Sequence, residues 1–248
     1  DLPGPVPGDP SEYRISTVPE DQTDGVARAA NLLITVDNDL GGDDTIYAGA
    51  GVDQVFGGAG SDVIDAGDDH DVVIGDAGRI DRTVDPEAPK IPAIGDEVQS
   101  ILHRVRTIES LIGGSDVITT GMGNDIALGG YLDDTIILGT GDDIALGDNG
   151  ELIFADDASS PLDPDVPHII RTTAPTHGGN DTISGNDDSE ILIGGTGQDW
   201  IFGDDDAASA GIADSEDIIV GDQVEILVNS NSTRHIETTH RDVEFAGD

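Results

Sequence analysis

The chain has 248 residues, of which 52 are Asp or Glu, 10 are Lys or Arg and none is Cys, so its formal net charge is −42. A nucleic-acid reader, a disulfide scaffold and a thiolate metal site are therefore poor hypotheses. Asp outnumbers Glu by 41 to 11 and Gly contributes 34 residues, which is typical of turns rather than helices. The 28 Ile residues, at regular spacing, argue against a disordered acidic chain.

The first 40 residues are predicted to be an N-terminal linker or a strand donated to a neighbour. Residues 1–30 contain five Pro within mixed polar sequence. The chain starts at Asp instead of Met, which is typical of a processed or excised piece of a longer protein. No run of 18 apolar residues occurs, so we expect no membrane insertion.

A nine-residue repeat follows in three blocks, residues 41–80, 113–150 and 178–223. Ahead of each repeated acid lies a Gly-rich turn, such as 57–61, and behind it comes a short apolar strand, such as Val63-Ile64. The unit is Gly-Gly-x-Gly-x-Asp-x-U-x, where U is apolar. The acids that keep this register are Asp44, Asp53, Asp62, Asp71, Asp116, Asp125, Asp134, Asp143, Asp181, Glu190, Asp199 and Asp217.

Twelve acids in one register resemble the repeats-in-toxin (RTX) family, whose nonapeptides build a calcium-binding parallel β-roll. The resemblance implies an all-β fold in which two nonapeptides make one coil, with parallel strands about 4.8 Å apart. Carboxylates stacked at that distance repel each other unless a hard cation lies between them, and Ca²⁺ accepts carboxylate and carbonyl oxygens. Several calcium ions per chain are therefore expected.

The candidate metal ligands follow from this register. Acids 18 residues apart are predicted to pair, as Asp44 does with Asp62, and Asp199 is a candidate partner of Asp217. Turn glycines allow carbonyl groups to point inward at φ values that a side chain would forbid. The candidate set therefore holds the twelve acids, the turn residues Gly58, Gly60, Gly121, Gly123, Gly195 and Gly197, and the block-ending acids Asp76, Asp148 and Asp222.

Two features make the third block less regular. Glu190 is one methylene longer than Asp and its turn lacks two of the motif's glycines, so its site is predicted to be distorted or empty. The stretch 204–216 reads as a looped-out turn.

The apolar positions predict a narrow core and two covered outer faces. The U residues are expected to point inward: Ile46, Val55, Ile64, Val73, Ile118, Ala127, Ile136, Ala145, Ile183, Leu192, Ile201 and Ile219. Their flanking positions, which face outward in an isolated roll, include Val72, Ile74, Leu128, Trp200 and Phe202. Solvent-facing strand surfaces are usually polar. We therefore expect the rest of the chain or another subunit to cover these faces.

Antiparallel β arms with loops are predicted between the blocks, at residues 81–112 and 151–177, and a C-terminal β hairpin at 224–248. Each arm follows a similar Gly-Asp phrase, and these phrases lie 72 and 74 residues apart. Seven of the nine Arg residues lie in or beside the arms and gaps. Their positive charge is expected to lie near the acidic turns.

The sequence favours a calcium-binding structural module of an extracellular bacterial surface protein, adhesin or filament. The motifs of zinc proteases, serine hydrolases and phosphate-binding loops are absent, so no enzyme activity is predicted. The alternatives are a calcium-dependent secretion and folding region of an exported toxin or hydrolase, and an ice-binding adhesin module. Possible partners are further copies in a homo-polymer or neighbouring modules of the same chain, but not nucleic acid.

Overall fold

The computed structural model describes residues 32–84, 100–154, 166–186, 188–203, 217–228 and 234–238. These residues form nineteen strands in three sheets and no helix. No helix in the described ranges is therefore long and apolar enough to span a membrane. Several predictions fall outside the described residues. They concern residues 1–31, the loops within the two long arms at 85–99 and 155–165, the looped-out stretch 204–216, and residues 229–233 and 239–248 of the C-terminal hairpin.

Two parallel sheets form the roll, and each takes one strand from every coil. We call the first the open sheet; it consists of β2 (Thr45–Ala50), β4 (Val63–Asp68), β8 (Val117–Met122), β10 (Thr135–Ile137), β14 (Thr182–Ser184) and β16 (Trp200–Phe202). The second, the covered sheet, consists of β3 (Gln54–Phe56), β5 (Val72–Ile74), β9 (Ile126–Gly130), β11 (Ile144–Asp148), β15 (Ile191–Ile193) and β17 (Ile218–Val220).

The three sequence blocks stack into one continuous roll of six coils. β4 pairs in parallel with β8, although an arm separates them in sequence, and β10 pairs with β14 in the same way. The covered sheet repeats this continuity, because β5 pairs with β9 and β11 pairs with β15. Both long arms are therefore insertions that leave the roll and return to the same stack.

The arms form the third, antiparallel sheet, which we call the arm sheet. Its strands are β1 (Leu32–Ile34), β6 (Gly78–Val84), β7 (Ser100–Thr107), β12 (Gly150–Ile153), β13 (Ile169–Thr172), β18 (Val224–Val228) and β19 (Arg234–Thr238), in that spatial order. Each hairpin adds two strands while each block adds two coils. Since strands in both kinds of sheet are about 4.8 Å apart, the arm sheet grows in step with the roll.

Two apolar layers hold these sheets together. The roll interior contains the predicted U residues, of which Ile64, Ile118 and Ile136 are fully buried. The second layer lies between the covered sheet and the arm sheet, where Ile74 and Leu128 pack with Ile80, Leu152 and Phe154. Ile219 is the exception to the predicted core, since it is 48% exposed on the last coil.

The expectation that the rest of the chain or another subunit covers the outer faces is confirmed for one sheet, and for the other sheet cover by another subunit stays a prediction. The arm sheet buries the outer face of the covered sheet, so Val72, Ile126 and Ile191 are shielded. On the open sheet, by contrast, Val63, Ile137, Trp200 and Phe202 are exposed within the described part of the chain. The sequence could not distinguish the two faces, because both carry apolar residues.

The arginines do not neutralise the acidic turns in the way that was expected. Arg79 bonds Asp81 with Nε–Oδ distances of 2.8 and 3.0 Å, within the arm sheet. Arg104 and Arg171 both pair with Glu151, and Arg171 lies 3.5 Å from Glu225. The Arg79–Asp81 pair lies within β6, whereas the pairs with Glu151 and Glu225 join neighbouring arm strands. The described ion pairs therefore involve acids of the arms and leave the roll acids to another cation.

Candidate metal centre

The twelve register acids lie in two straight rows, each residue directly before a strand. The first acid row precedes the open sheet and contains Asp44, Asp62, Asp116, Asp134, Asp181 and Asp199. The second acid row precedes the covered sheet and contains Asp53, Asp71, Asp125, Asp143, Glu190 and Asp217. The eight acids on the inner coils are all buried: Asp62, Asp71, Asp116, Asp125, Asp134, Asp143, Asp181 and Glu190.

One oxygen of each carboxylate fixes the stacking of the coils in the first acid row. The amide of Asp44 donates to Oδ1 of Asp62 at 2.7 Å, and the amide of Asp116 donates to Oδ1 of Asp134 at 2.8 Å. The same bond crosses both insertions, from the Asp62 amide to Asp116 and from the Asp134 amide to Asp181, each at 2.8 Å. The last bond of this series in the first acid row is from the amide of Asp181 to Asp199, at 3.0 Å.

The second acid row repeats this pattern up to the third block. Asp71, Asp125 and Asp143 each accept the amide of the acid one coil earlier, at 2.7 to 2.8 Å. Asp217 accepts the amide of Glu190 at 3.1 Å. The predicted pairing of Asp217 with Asp199 is therefore wrong: β17 pairs with β15, so Asp217 belongs to the opposite row.

The second carboxylate oxygen is the feature that points to a metal. Among the described residues, the buried oxygens without a hydrogen-bond partner include Oδ2 of Asp53, Asp62, Asp71, Asp116, Asp125, Asp134, Asp181 and Asp199, and both Oε atoms of Glu190. A buried acceptor without a partner costs about 1–3 kcal/mol, and more when it is charged. The structure leaves this oxygen unpaired on coil after coil, so the two rows have a repeated need for a cation.

Glycines keep the space beside the first-row oxygens open. A Cβ on Gly57 would collide with Oδ2 of Asp62 and with the carbonyl oxygen of Gly75. A Cβ on Gly129 would likewise collide with Oδ2 of Asp134 and the carbonyl oxygen of Gly147. A carboxylate oxygen and a carbonyl oxygen thus converge on a glycine-lined space, and these are the ligand types that Ca²⁺ selects.

The turn glycines singled out in the sequence have the backbone conformation that the motif requires. Gly58, Gly60, Gly121, Gly123, Gly195 and Gly197 all have positive φ, between 104° and 139°. A Cβ on Gly121 would also meet the carbonyl oxygen of Gly67 on the adjacent coil. Glycine at these positions therefore permits both the turn and its close stacking.

Burial raises the pKa values of the inner acids, and neighbouring carboxylates add to this effect in most of them. The pKa of Asp116 rises to about 7, first through burial and then through Asp62. Burial with the charges of nearby acids raises the pKa of Asp181 to about 8. Without a cation, burial therefore shifts these groups toward the protonated form. A bound cation would supply the positive charge that the carboxylates lack.

No point in the described ranges gathers three or more His, Cys, Asp or Glu side chains. The carboxylates are spread along the two rows, about one coil spacing apart, instead of converging on one centre. Each ion would therefore be held by row carboxylates together with backbone carbonyl oxygens, a mixture that Ca²⁺ accepts.

Asp76 and Asp148 differ from the row acids, because both oxygens of each accept amide hydrogen bonds. Asp76 Oδ1 accepts from Gly114 at 3.0 Å and its Oδ2 accepts from Tyr131. Asp148 Oδ1 accepts from Gly179 at 2.8 Å and its Oδ2 accepts from Thr196. Each therefore ties the point where the chain leaves the roll to the point where it returns. Asp222 is exposed, and a calcium-ligand role for these three acids stays a prediction.

Glu190 occupies its place in the second row with an altered surrounding. It is fully buried, and burial with the nearby Asp217 charge raises its pKa to about 8. The side-chain nitrogen Nδ2 of Asn186 lies 3.4 Å from Oδ2 of Asp143 and donates to it. In the other inner row aspartates this oxygen is unpaired. The asparagine thus takes a position beside the acid that other coils leave open, in keeping with the predicted distortion.

Three threonines that were not identified from the sequence form hydrogen bonds between neighbouring arms. The Oγ1 atoms of Thr35, Thr107 and Thr172 accept the amides of Gly78, Gly150 and Val224, each at 3.1 Å. Each threonine lies nine residues before the first acid of a block. This fixed spacing, Thr35 to Asp44 and onward, is the signal that could have identified them.

The comparison with known proteins agrees with this geometry. The family model described as RTX calcium-binding nonapeptide repeat (4 copies) matches residues 38–64, 51–79, 113–130, 176–201 and 184–207. No curated protein and no solved structure matches the chain. RTX repeats bind calcium, form structural modules and occur in secreted bacterial proteins. Residues 38–79, 113–130 and 176–207 therefore carry calcium-binding nonapeptide repeats of the RTX type.

Proposed function

We propose that this chain is a stiff structural module of an extracellular bacterial adhesin or filament, which folds when it meets extracellular calcium. The observation that carries the proposal is the repeated unpaired carboxylate oxygen along both acid rows. In the absence of calcium, those oxygens and the net charge of −42 oppose closure of the roll. When calcium is bound, the binding free energy becomes folding free energy.

The arrangement of the arms supports a structural role. The six coils and seven arm strands extend along one axis, with the acid rows parallel to it. Because one bond type joins every coil of the first row, calcium ions along it would stiffen the whole length and not only one end. Such a module suits a spacer between the cell surface and a binding target.

The difference between the cytoplasmic and the extracellular calcium concentration controls whether this module folds. Extracellular calcium modules have dissociation constants of about 10⁻⁴–10⁻³ M, far above cytoplasmic calcium levels. The chain therefore stays open before export and closes outside the cell. The alternative role, a secretion region of an exported enzyme, uses the same switch but needs a catalytic domain.

Limited proteolysis with trypsin tests the switch. In millimolar calcium we expect the arm bonds after Arg79, Arg104, Arg106 and Arg171 to resist cleavage, because these residues lie in paired strands. In chelator those bonds should be cleaved quickly. Magnesium is the control ion, since it prefers octahedral geometry with shorter ligand distances and retains its waters. Equal cleavage with calcium and with chelator would contradict the proposal.

A further inference from the structure

The two ends of the roll present matching surfaces. β2 and β3 are the last strands of their sheets at one end, and β16 and β17 are the last strands at the other. The edge of a sheet offers unpaired backbone groups to another strand. Within the described residues, core residues at both ends are less completely covered than those of the inner coils, since Ile46 and Ile201 are only half-buried and Ile219 is 48% exposed.

Among the described residues, the exposed aromatic side chains of the open sheet lie on these end coils. Its outward positions form two rows across the strands, and the row through Tyr47 continues through Asp65, Thr119, Ile137, Ser184 and Phe202. Tyr47 is 74% exposed on the first coil, while Trp200 and Phe202 are 69% and 50% exposed on the last. The four inner coils carry Val, Thr, Ile, Ser and Asp at these positions.

We propose that the last coil of one copy stacks on the first coil of a second copy, so that the roll continues from chain to chain. This inference rests on the proposed structural function and names the partner as another copy of the same chain. Stacked in the register of the inner coils, Phe202 lies beside Tyr47 of the next copy at one strand spacing. Ile201 covers Ile46, and Ile219 covers Val55, as neighbouring U residues do throughout the roll.

The acid rows favour the same polarity. Each row aspartate accepts the amide of the acid one coil earlier, so the carboxylates of Asp44 and Asp53 lie at the end where the described roll has no earlier coil. Oδ2 of Asp53 is buried and unpaired there. In the stack these carboxylates meet the amides of Asp199 and Asp217 of the neighbouring copy. The calcium rows then continue across the junction.

The arm sheet shows what must move for the stack to form. In the arm sheet one strand directly precedes each block: β1 precedes the first, β7 the second and β13 the third. β19 has the same position in its hairpin as β7 and β13, so it lies where the strand before a fourth block would lie. A shift of six coils therefore brings β1 of the incoming copy to the position of β19. β1 pairs over three residues and β19 over five, so β1 is the strand that yields.

Such an interface is heterologous, because different surfaces of the two copies meet, and it therefore gives an open series instead of a closed dimer. Each copy carries a net charge of −42, so the series needs calcium to offset the repulsion. We expect sedimentation velocity in millimolar calcium to show species that grow with protein concentration, and chelator to return the monomer.

Two serine variants at the ends and one in the middle test the geometry. Tyr47→Ser and Phe202→Ser should each raise the dissociation constant of assembly about two- to tenfold, the range expected for one aromatic pair. Ile137→Ser, in the same row but on an inner coil, should leave it unchanged. All three residues are solvent-exposed, so each variant is expected to keep its calcium-dependent circular dichroism.

Three results would overturn the stack. They are a calcium-loaded chain that stays monomeric at every concentration, assembly that stops at a dimer, and an Ile137→Ser effect equal to that of Phe202→Ser. The last two would indicate face-to-face packing of open sheets. A folded calcium-bound monomer would leave the proposed function intact, whereas a chain that calcium does not fold would refute both.

Discussion

The backbone amide of Asp62 donates a 2.8 Å hydrogen bond to Oδ1 of Asp116, which lies 54 residues further along the chain. The bond has the same form as the one between Asp44 and Asp62, only 18 residues apart. The arm inserted between these two coils therefore does not change how they stack.

Removing one inner row carboxylate should weaken calcium binding without abolishing it. In Asp116→Asn an amide replaces the carboxylate beside Gly75, so the site loses a charged ligand. We expect the calcium midpoint of folding to rise about tenfold or more, since a hydrogen bond to a charged group contributes about 1.5–3 kcal/mol and each 1.4 kcal/mol is about tenfold. Asp65→Asn is the matched control, because Asp65 is an exposed acid on the open sheet. Equal midpoints for the two variants would refute the row assignment.

Adding one methyl group to the glycine cradle should also impair calcium-dependent folding. In Gly129→Ala the new Cβ would collide with Asp134 Oδ2 and the Gly147 carbonyl oxygen. Overpacking of this kind typically costs about 1–3 kcal/mol. Gly42→Ala is the control, since a Cβ there meets no atom within 4 Å. The thermal midpoint in calcium checks this, and a Gly129→Ala midpoint equal to that of the control would contradict the cradle.

The calcium-free chain should become more stable as the pH falls from 8 to 5. Burial raises the folded-state pKa of Asp116 and Asp143 to about 7 and of Asp181 to about 8, above the ordinary value of 3.8. In this window the folded chain binds more protons than the unfolded chain, so stability is lost as the pH rises through the folded pKa values. Far-ultraviolet circular dichroism in calcium-free buffer measures the folded fraction at each pH, and a smaller β signal at pH 5 than at pH 8 would contradict this prediction.

The layer between the covered sheet and the arm sheet should carry much of the stability of the folded chain. Leu128 is fully buried in this layer, so Leu128→Ala should cost about 2–5 kcal/mol in calcium. Ile137 also faces outward from the roll, but on the open sheet, where it is 44% exposed. Ile137→Ala should therefore cost under about 1 kcal/mol. Urea unfolding distinguishes them, and similar losses would mean that the arms do not seal the roll.

The sequence predicts the roll well because its information is local. A nine-residue period places Asp62 before a strand and Ile64 in the core without reference to the rest of the chain, and the structure agrees. The all-β class and calcium binding follow from the same pattern, and the antiparallel arms follow from the strand-like segments after each Gly-Asp phrase. A parallel coil of fixed length leaves little freedom in strand order.

The remaining features depend on contacts that no local pattern encodes. Leu128 and Ile137 are both apolar outward residues, and only the path of the arms decides that the first is buried. Asp217 belongs to the second acid row and not to the first, because β17 pairs with β15. The nine-residue count cannot predict this, since it does not show how many residues precede Asp217 outside the repeat. The double hydrogen bonding of Asp76 arises because the returning chain supplies the amide of Gly114.

The most direct test is a calcium titration in which bound calcium and far-ultraviolet circular dichroism are measured on the same sample. The unpaired oxygens along both acid rows predict several ions per chain. Binding and gain of β signal should rise together, and chelator should reverse both. Full β signal in chelator, or bound calcium with no gain of structure, would contradict the claim that calcium binding drives the folding of this roll.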